Sequence, residues 1–210
     1  MKRVKDYLNK EYLKRNLKKR VLFPLRIIDL IDWIIVRRKN SLTHPSRLLW
    51  GGPSRTSLAF YKWGLGDLSM FIETCHLKPD FKVLDVGCGI GRCAIAFSGF
   101  LDQNGSYVGF DSHKGAIDMC KKISSKYPNF NFTFADVYNE FYNQEGKINH
   151  SEFNLPYKNE SMDFVFLISV FTHMISEVFK HYLSEISRVL KVNGTCFISF
   201  LLGMIIHLLP

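Results

Sequence analysis

The chain has 210 residues, 47% hydrophobic and 22% charged, with a formal net charge of +9. That length and balance suit one α/β domain plus an appended segment in an ordinary globular protein. The five cysteines, Cys75, Cys88, Cys93, Cys120 and Cys196, are odd in number and without CxxC spacing. They argue against a disulfide framework or a zinc site and for a reducing, cytoplasmic setting.

The charge is unevenly spread. Residues 1–50 carry 14 Lys/Arg against 4 Asp/Glu, and the other 160 carry 14 against 15. The excess therefore sits on an N-terminal arm. It points to an anionic partner, a lipid surface in preference to nucleic acid, or to a solvated basic face. The basic start lacks the uninterrupted apolar run and small-residue cleavage site of a signal peptide.

Residues 1–20 read as a helix with Val4, Tyr7, Leu8, Leu13 and Leu17 roughly on one side. Residues 25–36 read as a greasier helix whose charges Arg26, Asp29 and Asp32 share a stripe, which disfavours a membrane span. Docking on the domain or lying in a membrane interface suits it better, so residues 1–38 are an expected contact with an anionic membrane surface. Residues 39–66, rich in Ser, Pro, Gly and Arg, read as a connector able to fold over a cleft. The expected division is residues 1–62 as basic arm and connector and 63–210 as the main domain.

Beyond the connector, Leu68 to His76 read as helical and Pro79-Asp80 turns into the first strand. Strands are expected at 81–86, 106–110, 130–135, 163–169 and 195–202, and helices at 91–101, 113–126 and 173–190. Short apolar runs alternating with helical periods predict a parallel sheet wrapped by helices. Residues 137–160 form a polar, aromatic-bearing crossover of the length that often carries function.

The chemistry concentrates at strand ends. Val83-Leu84-Asp85-Val86-Gly87-Cys88-Gly89-Ile90-Gly91-Arg92 is an apolar strand closed by an acidic residue and three alternate glycines. A strand, a glycine turn and a helix let a cofactor lie against bare backbone. The dinucleotide fingerprint GxGxxG needs glycine where Arg92 stands, which disfavours a nicotinamide-dependent oxidoreductase. Asp111 ends the second strand, where a carboxylate can accept from a ribose diol, and Asp136 ends the third, within reach of an exocyclic amino group such as adenine's. The competing reading makes these aspartates helix caps.

These features together resemble the class I (Rossmann-like) S-adenosylmethionine-dependent methyltransferases over roughly residues 63–202. The resemblance rests on Val83 to Arg92, Gly109-Phe110-Asp111, Ala135-Asp136-Val137, Met162-Asp163-Phe164-Val165 and the run Tyr182 to Gly194. It implies a sheet of order 3-2-1-4-5 and S-adenosylmethionine as cofactor. Asp85, Gly87, Cys88, Gly89, Gly91 and Arg92 would then face its methionine part, and Asp111 with Ser112 its ribose. Asp136 and Val137 would flank the adenine, and Ser169 and Val170 would line the methyl-transfer side. His173 stands where a base could act or a helix could start. A sulfonium ligand carries no phosphate, which suits three aspartates and a glycine turn without Lys.

The fourth strand tip, Ile168-Ser169-Val170-Phe171, lacks the Asn/Asp-Pro-Pro-aromatic motif of base-amino methylation and the carboxylate of a magnesium-dependent site. A Pro-Cys nucleophile is also missing. Small-molecule, sugar or lipid-derived acceptors remain, with a catalytically inactive cofactor-binding protein as the alternative. The family's C-terminal antiparallel hairpin is expected to be missing after the fifth strand. The apolar edge left there would need cover from a homodimer partner or the N-terminal helices.

Overall fold

A computed structural model describes residues 57–170, 176–199 and 205–207. The readings of the basic arm, of the first part of the connector, of His173 and of residues 200–202 lie outside the described residues. Along the chain run helix α1 (Ser57–Cys75), strand β1 (Lys82–Val86), α2 (Arg92–Phe97), β2 (Ser106–Asp111) and α3 (Lys114–Ser124). There follow β3 (Phe130–Phe134), β4 (Met162–Ile168), α4 (Ser176–Val189), β5 (Leu190–Ser199) and β6 (Ile205–His207). The sheet order is β3-β2-β1-β4-β5-β6, with the first five strands parallel, as the sequence predicts.

Two features depart from expectation. Strand β6 pairs antiparallel with β5 through Phe197–His207, Ile198–Ile206 and Ser199–Ile205, so the apolar end of β5 already has a neighbour. Residues 57–66, read as connector, are the first half of α1. Gly and Ser lower helix propensity there, but packing overrides it: a Cβ at Gly64 would lie 2.6 Å from the Arg92 carbonyl oxygen. Helix α2 is shorter than the 91–101 expected, because Ser98 turns its hydroxyl back onto the Ile95 carbonyl (2.8 Å).

The two faces of the sheet follow the period of two. On one, Phe71 of α1 lies fully buried against Phe166 (4.9 Å between centroids), Phe197 (5.0 Å), Phe164 (5.1 Å) and Phe97 (6.2 Å). Phe97 in turn meets Tyr107, which stacks on Phe130. On the other, Leu84, Val86, Val165, Leu167, Cys196 and Ile198 pack with Val178, Tyr182, Ile186 and Val189 of α4. Near-continuous burial of β1 and β4 reflects helices and loops on both faces. Among the described residues no helix is long and apolar enough to cross a membrane.

The crossover into β4 is fastened by a buried carboxylate. Glu185 accepts from the Leu155 amide (2.7 Å) and from the Arg188 guanidinium (2.8 and 2.6 Å). Arg188 also donates to the carbonyls of Leu155 and Tyr157 (2.8 Å each). Glu185→Ala should lower unfolding free energy by about 2–3 kcal/mol, since it strips a buried amide of its acceptor. Urea denaturation checks this, and a change under about 0.5 kcal/mol would show that water replaces the carboxylate.

Candidate functional site

Parallel pairing of β1, β2 and β3 brings their C-terminal tips together, and the candidate site is built there. The glycine turn is tied to the neighbouring strand, because the amides of Gly87 and Cys88 both donate to the Phe110 carbonyl (3.0 Å each). Gly87 has φ +77°, and a Cβ there would lie 2.7 Å from Val170 Cγ2, so only glycine fits against the tip of β4. A Cβ at Gly89 would meet nothing within 4 Å. The crest of the turn is therefore bare backbone facing open space, a cradle for a ligand. Gly91 supplies the N-cap of α2 without a side chain.

Asp111 joins the turn to the second strand. Its Oδ2 accepts from the Gly89 amide (2.8 Å) and its Oδ1 from the His113 amide (2.7 Å). A carboxylate has about four acceptor directions, so both oxygens can still take a ligand hydroxyl. Burial raises its pKa, and the two amides partly offset that. Helix α3 is capped by His113, whose Nδ1 accepts from Ala116 (3.0 Å). Asp111 thus shapes the turn before the helix but is not its cap.

Asp85 is almost fully buried beneath the turn, and its Oδ2 accepts from the Tyr107 hydroxyl. Its pKa is pushed up to about 7, first by burial. The Tyr107 hydroxyl pulls it down, Asp111 and Asp67 push it further up, and Arg92 pulls it down. Asp136 sits at the third tip, where Asn143 Nδ2 donates to its Oδ1 (3.3 Å) and to the Val137 carbonyl (3.0 Å). Val137 is buried and pairs with Ile148. None of the three aspartates caps a helix among the described residues.

The remaining expected residues are placed around these. Ser112 lies between Asp111 and His113, partly exposed. Cys88 is buried, and its thiol and that of Cys120 both donate to the Gly89 carbonyl (3.8 and 3.4 Å). Burial raises the Cys88 pKa well above its ordinary value, so this thiol is not an activated nucleophile. Arg92 pairs with Asp67 of α1 (3.0 Å) and lies over the Trp63 ring (5.8 Å), so its charge is already engaged. Ser169, at φ +59°, donates its amide to Ser199 Oγ (3.0 Å), and Val170 presses on Gly87. His173 lies outside the described residues, as stated above.

Several residues of the site carry no signal in the sequence. Asp67 and Tyr107 reach it only through packing. Tyr157 does so too: its hydroxyl is buried without a hydrogen-bond partner, and burial raises its pKa, with Cys88 and Asp85 adding to the rise. An orphaned hydroxyl, an open glycine crest and carboxylates at three tips fit a polar, cationic, hydroxyl-bearing ligand without phosphate. Among the described residues there is no group of His, Cys, Asp and Glu able to hold a metal ion.

Comparison with known proteins agrees with this geometry. Residues 84–198, more than half of the chain, match a family model described as a methyltransferase domain. The chain is 27% identical over 128 residues to the uncharacterized methyltransferase YcgJ of Bacillus subtilis, covering 61% of this chain and 44% of that protein. It is 30% identical over 87 residues to the putative methyltransferase 235L of Invertebrate iridescent virus 6, covering 41% and 31%. The chain thus spans less than half the length of these curated relatives. Among solved structures, the [4+2]-cyclase SpnF shares the fold at 18% identity and a TM-score of 0.50, over 83% of this chain and 58% of that one. From the matched domain, the sheet order and the glycine turn with its strand-end aspartates, the chain belongs to the class I methyltransferase family, whose cofactor is S-adenosylmethionine.

Proposed function

We propose that this chain is an S-adenosylmethionine-dependent methyltransferase acting on a small-molecule, sugar or lipid-type acceptor. The observation that carries the proposal is Asp111, a carboxylate locked by the Gly89 amide beside an open glycine crest and free to accept more hydrogen bonds. When bound, the cofactor would supply an activated sulfonium methyl: the acceptor's nucleophile forms a bond to that carbon in line as the carbon–sulfur bond breaks and a neutral thioether leaves. The chain's residues align and desolvate. Asp111 and Ser112 hold the ribose, and Asp136 and Val137 flank the adenine. Asp85 and the turn Gly87, Cys88, Gly89 and Gly91 receive the methionine end. Arg92 stands beside that end, oriented by Asp67 and Trp63. Ser169 and Val170 border the side from which the acceptor approaches. The fourth strand tip without Pro-Pro or a carboxylate supports the acceptor class.

A second reading is cofactor binding without methyl transfer. The fold shared with a [4+2]-cyclase favours keeping it in view, since a fold does not dictate its chemistry. Calorimetric titration with S-adenosylhomocysteine, with NAD as control, tests the pocket, and S-adenosylhomocysteine release with candidate acceptors separates the two readings. Saturable binding of S-adenosylhomocysteine alone is expected; no binding by folded protein would overturn the proposal. Asp111→Ala should weaken that binding by about 1–3 kcal/mol, the loss of a charged acceptor. Unchanged affinity would reduce Asp111 to a turn residue.

A further inference from the structure

The crossover between β3 and β4 builds a small turn directly over the Asp111–Asp136 side of the site. Asn139 Oδ1 accepts from the amides of Phe141 and Tyr142 (2.9 and 3.0 Å), and Asn139 and Asn143 pair through both backbone bonds (2.9 and 3.0 Å). Asn143 then anchors the turn to Asp136 and to the Val137 carbonyl. The turn is therefore rigidly attached to the third strand tip. Of its two aromatic residues, Phe141 and Tyr142, the second reaches the β2 tip, where the Tyr142 ring lies 5.6 Å from the His113 ring. His113 is itself fixed, with its amide on Asp111 and its Nδ1 on Ala116. Tyr142 is also close enough to Asp111 for that carboxylate to raise its phenol pKa, after burial. The Phe141 ring also lies 6.3 Å from that of Tyr142, yet Tyr142 remains 53% exposed and keeps aromatic surface open to a ligand.

Resting on the S-adenosylmethionine reading above, we propose that Tyr142 is a positioning residue for the cofactor, closing the pocket over its adenosine half. A planar ring held between the tips that carry Asp111 and Asp136 gives a flat base and its ribose a complementary wall. The turn's hydrogen bonds fix the backbone that carries the ring before binding, and the His113 and Phe141 rings lie beside it, so less freedom is lost when the ligand arrives. In the fold, Asn143 holds Asp136, and the Tyr142 ring lies against His113, two residues beyond Asp111.

The test is calorimetric titration of wild-type, Tyr142→Ala and Tyr142→Phe proteins with S-adenosylhomocysteine and with 5′-methylthioadenosine, which keeps the adenosine and lacks the amino-acid end. Tyr142→Ala should weaken both ligands by about the same factor, roughly tenfold, the scale of a base-aromatic contact. Tyr142→Phe, which keeps the ring, should stay within about threefold of wild type. Unchanged affinity in Tyr142→Ala, a loss for S-adenosylhomocysteine alone, or no rescue by Phe would each overturn the assignment. Wild-type protein that binds neither ligand overturns the cofactor reading itself and Tyr142's role with it. Equal melting temperatures of the ligand-free variants show that the loss is local.

Discussion

Phe71→Ala is expected to lower unfolding free energy by about 3–5 kcal/mol, the usual cost of emptying a buried aromatic site. Phe71 comes from α1, outside the alternating strands and helices, yet its ring touches those of Phe97, Phe164, Phe166 and Phe197, which lie on α2, β4 and β5. Four rings cannot collapse into one methyl-sized residue, so the cavity persists and the lost dispersion contacts are not regained. Phe71→Leu refills most of the volume and should cost less than half as much. Urea titration of both variants measures this. Equal and small losses, under about 1 kcal/mol, would mean that α1 is not part of the cooperative core. The site would feel such a loss too, since α1 also carries Trp63 and Asp67 to Arg92.

The second large effect is on pH. Asp85 has a folded-state pKa raised from 3.8 to about 7. Between those values the native protein keeps a proton that the unfolded chain has released. Stability therefore falls as pH rises through that window and levels off above about 7, a change on the order of 4 kcal/mol by linkage. Burial sets the window and the groups facing Asp85 tune it: the Tyr107 hydroxyl and Arg92 favour the charged form, and Asp111 and Asp67 oppose it. Asp85→Asn retains an acceptor for Tyr107 and carries no charge, so it should flatten the slope and leave the variant more stable than wild type at pH 8. Tyr107→Phe should carry the fall on to higher pH, past about 7, by removing the donor that favours the carboxylate. Denaturation curves at pH 5, 6, 7 and 8 decide the matter. An unchanged slope in Asp85→Asn would assign the pH dependence to other groups.

Much of this architecture is legible along the chain. The apolar runs ending in Asp85, Asp111 and Asp136 place three carboxylates at three strand tips, because period and length define a buried parallel strand locally. GxGxG in place of GxGxxG narrows the ligand class in the same way, through backbone freedom at single positions. The strand order is what the family resemblance implies, and it is consistent with the right-handed crossovers such units favour. Less legible are the boundaries. The helical start at Ser57, hidden by Gly64 and Gly66, needs Arg92 as its packing partner. The bulge where Met162 pairs with Leu190 but Phe164 with Thr195 needs the register of two strands.

The sequence by itself determined the three acidic tips and the motifs that carry the family resemblance, because each depends on residues a few positions apart, and the order of the sheet came with that resemblance. Only the tertiary structure decided what surrounds those tips. Tyr107 reaches Asp85 across 22 positions and Cys93 reaches Asp67 across 26. Among the described residues the Tyr157 hydroxyl is buried without a partner, and Tyr142 comes to lie against His113 across 29 positions. The physical reason is that periodicity reports which face of an element is buried. Which side chain meets which carboxylate is set by the register and packing of segments far apart in the chain.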